Sequence, residues 1–280
     1  MSGIEGKIRT WLDKQGYPFE MRVAKAFEKS GFYIEVSKYY KDLDENKHRE
    51  IDVVATNSVM VNENHRVMLN IIFTCECKNS SDKPWLLLSS DSHEKKFDGD
   101  ATSFRHANHY GHVALLALSV EGVAKTNRLL MHRENLGFSL VRAFGEQSDM
   151  AYKAIMSASR AAKGMAKYSD EYYNKLRVFS MDIYFPVVVI TGRLFKCTLG
   201  ASDSIELSEI NQGALICTNP DSGEINSTIE IVTESGLPVY LQERVAWIDK
   251  LFERLSLGVE SLDTFLNSPG AGINEANTSN

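Results

Sequence analysis

Arg66-Val67-Met68-Leu69-Asn70-Ile71-Ile72-Phe73-Thr74-Cys75-Glu76-Cys77-Lys78 is the stretch on which the fold turns. Val67, Leu69, Ile71 and Phe73 alternate along one face, with Met68, Ile72 and Thr74 on the other. A strand apolar on both faces belongs in the centre of a sheet. Glu76 and Lys78 break the apolar pattern at its end. With a side-chain period of two they share a face, about 7 Å apart along the strand. Opposite charges at the end of a buried strand are costly unless they pair or hold a metal.

A second apolar strand precedes it, Arg49-Glu50-Ile51-Asp52-Val53-Val54, and Asp52 interrupts it in the same way. Val61-Asn62-Glu63-Asn64 suits a turn between the two. An antiparallel hairpin would bring Asp52 close enough to Glu76 to share one divalent ion. Two carboxylates and a backbone carbonyl form a hard oxygen site suited to Mg²⁺. A lysine beside such a site can orient a water or stabilise the charge of a phosphoryl transition state. Glu20 extends the set. It lies on a helix expected over 18–30, near the stripe of Phe19, Val23, Ala26 and Phe27.

Working outward, Ile4, Ile8, Trp11 and Leu12 predict a short helix over 4–14 that Gly16 breaks. Pro18 can open the next helix in its first turn and Gly31 can close it. Residues 32–40 alternate as a strand, 42–47 form a polar loop, and 49–56 form a strand that can continue to 61. Residues 79–112 read as polar and irregular, and 113–120 as a strand. Ala151, Ala154, Ala158, Ala161, Ala162 and Ala166 predict a long helix over 148–176 that approaches a sheet closely. A buried strand over 183–193, a hairpin partner over 194–199, a strand over 229–233 and a helix over 237–257 follow. The Gly-, Asn- and Ser-rich end, 267–280, is expected to be disordered.

The order helix with Glu20, strand with Asp52, strand with Glu76-x-Lys78 resembles the PD-(D/E)xK nuclease superfamily. Gly16-Tyr17-Pro18-Phe19-Glu20 also resembles the helix opening of its Mrr-like branch. The resemblance covers roughly residues 16–191, and Ile51 stands where the motif has Pro. It implies an α/β, restriction-endonuclease-like core with a mixed central sheet flanked by helices. The core would occupy 1–200 with a large insertion at 79–147, followed by a C-terminal α+β extension over 201–266. It further implies hydrolysis of a phosphodiester with Mg²⁺, or alternatively Mn²⁺, as the cofactor. DNA is the expected substrate, and restriction or phage defence the expected setting. Asp52 and Glu76 would be the metal ligands, Glu20 an accessory ligand, and Lys78 the residue that assists the water. The alternative is a catalytically silent nuclease-like subunit that binds nucleic acid or a partner.

Composition agrees with a globular chain that can bury a full core. The 280 residues are 43% hydrophobic and 24% charged, and carry a formal charge of −6. Residues 201–280 hold 13 acidic and 3 basic side chains, a net of −10, which leaves +4 on the first 200. A polyanion is therefore expected to meet the first two thirds. There, Lys153, Arg160, Lys163 and Lys167 form one stripe on the long helix and, with Arg49, are candidate phosphate contacts.

His93, His106, His109 and His112 lie in the proposed insertion, where no cysteine completes a zinc site. Cys75 and Cys77 share a strand face and read as core thiols, and Trp85 reads as a loop anchor. No phosphate-binding Gly-x-x-x-x-Gly-Lys loop and no Gly-x-Ser-x-Gly elbow occurs. No signal-peptide stretch and no membrane-length apolar run occurs, so the expected setting is cytoplasmic, without a membrane and with a homodimer or a partner subunit possible.

Overall fold

The computed structural model describes residues 3–12, 15–62, 67–80, 82–90, 106–120, 135–144, 149–176, 179–200, 202–218 and 225–266. Two helices open the chain, α1 (Ile4–Leu12) and α2 (Tyr17–Lys29). Three antiparallel strands follow, β1 (Tyr33–Asp42), β2 (Lys47–Asn62) and β3 (Val67–Lys78). After β4 (Trp85–Leu88) and β5 (His106–Ala107) come α3 (His109–Val120), β6 (Leu136–Gly137), β7 (Ser139–Arg142) and α4 (Asp149–Leu176). The chain continues through β8 (Ser180–Ile190), β9 (Leu194–Leu199), β10 (Ile205–Ile210), β11 (Gln212–Thr218), β12 (Ile225–Thr233) and α5 (Leu237–Leu266).

The result is a mixed α/β fold. Its main sheet runs β1-β2-β3-β8-β12-β11-β6, with β5 also on β8. β3 is central, antiparallel to β2 and parallel to β8 over its whole length, as its two apolar faces require. Helices cover both faces. Phe19, Val23 and Phe27 of α2, Leu115 of α3 and Tyr240 and Trp247 of α5 pack on the face that carries Phe73 and Phe185. α4 covers the other face through Ala154, Ala158, Ala161 and Ala162, all fully buried. Its small side chains let it lie close to the sheet. A Cβ added to Gly164 would sit 2.3 Å from the Lys41 carbonyl oxygen.

A smaller sheet, β10-β9-β4-β7, continues the packing beyond α4. Trp85, expected in a loop, is instead a fully buried strand residue of that sheet, and its Nε1–H donates to the Thr191 carbonyl at 3.1 Å. β11 and β12 of the 201–266 segment join the main sheet itself through β8. Cys75 and Cys77 are buried and unpaired.

The apolar run at 113–120 is helical, not a strand. A short run that is apolar throughout carries neither period, and the deciding signal lies just before it. Asn108 caps α3, its Oδ1 accepting the Gly111 N–H at 2.7 Å. Val61 and Asn62 of the turn expected at 61–64 belong to β2, while 63–64, most of the 89–96 loop and the 267–280 tail lie outside the described residues. No helix among the described residues is long and apolar enough to cross a membrane.

Candidate active site

The site lies where β2 parts from β3. Their pairing ends at Val53 with Cys75, so Asp52 and Glu76 stand next in register. At the same level β1 kinks. Ser37 has a left-handed φ of 50°, and pairing with β2 skips from Val36–Val53 to Lys38–Ile51. The kink resets the alternation. Val53 packs on the α2 face, whereas Ile51, two residues away, packs on the α4 face with Tyr40. Asp52 sits at the switch, and its carboxylate takes the place of a strand partner: Oδ2 accepts the Cys77 N–H at 2.7 Å. An acidic residue is thereby built into the sheet and held by backbone.

Glu76 is buried on the α4 face. Its Oε2 accepts from the Ser157 hydroxyl at 2.6 Å, and its Oε1 accepts from Lys78 Nζ. Ser157, on α4, positions Glu76. Glu20 enters from the first turn of α2, half-buried, with Oε1 folded back toward Gly16; a Cβ on Gly16 would lie 2.8 Å from it.

The four groups feel one another's charge. Burial, the Glu76 charge and then the Glu20 charge push Asp52 up to about 7, against the pull of the Cys77 N–H and of Lys78. Burial, then Glu50 and Glu76, raise Glu20. Burial alone would lower Lys78, but the Glu76 and Asp52 charges outweigh it and hold the ammonium above its ordinary value. One cation thus faces three carboxylates, a surplus of negative charge that favours a divalent ion.

Among the described residues, no three His, Cys, Asp or Glu side chains converge closely enough to hold a metal by themselves. The side chains that would hold such an ion are Asp52 and Glu76, with Glu20 contributing charge from the helix. Mg²⁺ keeps several waters and needs few protein ligands.

Most of the expected phosphate contacts are engaged with carboxylates. Asp42, fully buried, closes the β1–β2 turn by accepting the Asp44 and Glu45 N–H groups, and Arg49 Nε donates to it at 2.8 Å. Arg160 Nη1 reaches Glu45 at 2.8 Å and Asp42 at 3.3 Å, and Lys163 Nζ reaches Asp44 at 2.7 Å. The Arg160 and Arg49 guanidiniums hold the Glu45 carboxyl down at about 2. Half of the basic stripe therefore fastens α4 to the hairpin. Lys153 and Lys167 lie exposed on the same helix. His93 lies outside the described residues, and His106 contacts Ser159 Oγ at 3.4 Å.

No protein-family model, no curated protein and no solved structure matches the chain.

The raised Asp52 has a consequence for stability. Between pH 3.8, its ordinary value, and about 7, the folded protein keeps a proton that the unfolded chain has released. Stability therefore falls as pH rises through that window and stays reduced above it. Asp52→Asn removes the charge and keeps an oxygen for the Cys77 N–H. In EDTA the variant is expected to be more stable than wild type at pH 8, by on the order of 1–3 kcal/mol, with a much smaller gain at pH 4. Thermal melts at the two pH values measure this, and an equal gap at both would contradict it.

Proposed function

We propose that the chain hydrolyses a nucleic-acid phosphodiester, with DNA the expected substrate, at the cluster of Asp52, Glu76, Lys78 and Glu20. The observation that carries the reading is the charge surplus at the parting of β2 and β3, where two carboxylates on adjacent strands stand beside a lysine. Asp52 and Glu76 would hold Mg²⁺ or Mn²⁺, with Glu20 assisting. The ion would supply a polarised phosphate and an acidified water. Lys78, kept protonated by Glu76 and Asp52, donates hydrogen bonds and cannot serve as a base at neutral pH. Its role is to orient the attacking water and to stabilise charge on the phosphoryl oxygens. Ser157 holds Glu76 in its rotamer while Lys78 turns toward substrate.

The reading is tested by incubating purified protein with duplex DNA, single-stranded DNA and RNA, with and without Mg²⁺, beside Lys78→Ala. Metal-dependent cleavage that Lys78→Ala lacks is the expected result. No cleavage of any substrate would favour the second reading, a silent nuclease-like binding subunit. The closed pair of Glu76 and Lys78, in which each neutralises the other, is the observation on that side.

Backbone contact is proposed to fall on α4, with Lys153 and Lys167 exposed and with Arg49, Arg160 and Lys163 recruited only by displacing the Asp42–Glu45 turn. Each phosphate neutralised by the protein steepens the slope of log K against log salt by roughly 1. The Lys153→Ala, Lys167→Ala double variant is therefore expected to flatten that slope by up to about 2, in Ca²⁺ to prevent cleavage. The Arg160→Ala, Lys163→Ala pair should change it less. The opposite ranking would place the displaced ion pairs on the substrate.

A further inference from the structure

A second feature of the α4 face lies beside the carboxylate cluster. α4 touches β1 at Gly164 and reaches β8 through Ser169, and a groove of about 820 Å³ lies between its C-terminal half and β1, β2, β3 and β8. The floor is built from cross-strand rows. Tyr33, Thr56, Ile72 and Tyr184 are successive partners across four strands, and Ser58, Asn70 and Asp182 form the next row. The wall is helical, with Tyr168, Tyr172 and Tyr173 spaced to share one side.

The aromatic content is high and much of it is uncovered. Tyr33 is 71% exposed, Tyr168 64% and Tyr172 45%. Tyr168 and Tyr172 already stack, with ring centroids 6.0 Å apart and planes at 21°. Tyrosines that merely fill a core are buried with their hydroxyls satisfied, as Tyr184 is here, its hydroxyl 3.4 Å from the Met165 carbonyl. Exposed, pre-stacked rings lining a concavity offer flat faces to a flat ligand.

The charges around the groove narrow the class of ligand. Lys38, Lys41 and His48 contribute to its lining. Lys38 pairs with Glu35 at 2.5 Å, and Lys41 and His48 have no carboxylate partner among the described residues. The floor carboxylate, Asp182, is buried and saturated. Asn70 Nδ2 donates to its Oδ1 at 2.6 Å and Ser180 at 2.5 Å, and Ser169 donates to its Oδ2 at 2.5 Å. A cationic ligand would meet the Lys38 and Lys41 ammonium groups, and both lining carboxylates, Glu35 and Asp182, already hold partners. A ligand with π faces and a negative backbone fits both features.

We propose that this groove binds a single-stranded nucleic-acid segment by stacking its bases on Tyr168, Tyr172 and Tyr33, with Lys41 and His48 beside the phosphates. The choice of nucleic acid over another flat anion rests on the phosphodiesterase reading above. Asn70 and Glu76 are six residues apart on one strand face, roughly 20 Å, and the near end of the groove reaches toward the cluster through Tyr40, whose hydroxyl lies 3.5 Å from the carbonyl of Ser157, the residue that holds Glu76. A base unstacked from a duplex, or the unpaired strand beside a junction, would be gripped there while the phosphodiester is held elsewhere.

The test compares a fluorescent oligothymidylate with an oligomer of the same length and charge made of abasic residues, in EDTA so that nothing is cut. Stacking on an aromatic side chain contributes roughly 1–3 kcal/mol per base, or roughly 5- to 150-fold in affinity. Wild type is expected to bind the base-bearing oligomer at least about tenfold more tightly than the abasic one. Tyr172→Ala and Tyr168→Ala should each erase most of that preference while leaving abasic binding unchanged, and Tyr172→Phe should keep it. Both side chains are exposed, so a thermal melt suffices to verify that the variants fold.

Equal affinity of wild type for the two oligomers, an unaltered preference in both Ala variants, or saturable binding of a trimethyllysine peptide without binding of oligonucleotide would each overturn the proposal. Failure of the phosphodiesterase reading is separately visible. It shows as absent metal-dependent cleavage, whereas base-dependent binding in EDTA survives it.

Discussion

Glu76→Gln is expected to reduce metal-dependent cleavage by roughly a thousandfold or more, with the fold intact. Glu76 ties together every part of the cluster. It pairs with Lys78, accepts from Ser157 and raises Asp52 by its charge. Glutamine keeps the side-chain volume and one acceptor for Ser157, so packing against α4 is retained. What it loses is the negative charge that would hold the ion and balance Lys78. Stabilisation of a phosphoryl transition state by a bound ion is worth several kcal/mol, and about 1.4 kcal/mol is a factor of ten in rate.

Asp52→Asn should cost activity to a similar degree. Added Mg²⁺ should raise the melting temperature of wild type and not of either variant, since only binding to the folded state shifts the midpoint. Full activity of both variants in purified form would remove these carboxylates from the chemistry. A loss of activity accompanied by a collapsed melting transition would mean that they are structural.

The residues just named were legible because they violate a local rule. Asp52 and Glu76 each interrupt an apolar strand, and Lys78 follows at the spacing that shares a face. The central position of β3 was legible for the same reason, its two apolar faces. What the sequence hid are contacts between distant segments. Arg160 and Lys163 look like a phosphate-binding stripe until the Asp42–Glu45 turn is seen to meet them, more than a hundred residues away in sequence. The kink at Ser37 that sets Asp52 in the plane of the sheet leaves no compositional mark. Of the smaller sheet only β9 was read, and as the hairpin partner of β8, whereas it pairs with β4 and β10; β4 is four residues long and β10 is exposed along most of its length. Short or solvated strands carry little periodic signal. At α3 the polar cap, Asn108, held the information that the apolar run itself lacked.

The most hidden pair lies in the segment whose sequence reads simply as acidic. Glu230 on β12 and Arg244 on α5 are both buried, with Arg244 Nη2 3.0 Å from Glu230 Oε1, and the Tyr240 hydroxyl donates to Oε2. The Arg244 guanidinium carbon also lies 5.0 Å from the centre of the Tyr240 ring. Burial and Glu230 hold the Tyr240 phenol well above its ordinary value, which keeps it a donor to Glu230 at neutral pH.

Arg244→Met keeps the stem that fills the space and removes the charge. Glu230 then loses its cationic partner in a dry environment, and the expected cost is about 3–5 kcal/mol. At roughly 2–4 °C per kcal/mol for a chain of this size, the melting temperature should fall by roughly 10 °C. The loss should shrink at low pH, where Glu230 can take a proton.

Replacing both partners, Glu230→Leu with Arg244→Met, leaves no buried charge and should recover most of the stability. The double-mutant cycle separates the ion pair from simple packing. If Arg244→Met and the double variant melt together, well below wild type, the pair acts through shape, and its charge is incidental to holding α5 on the sheet.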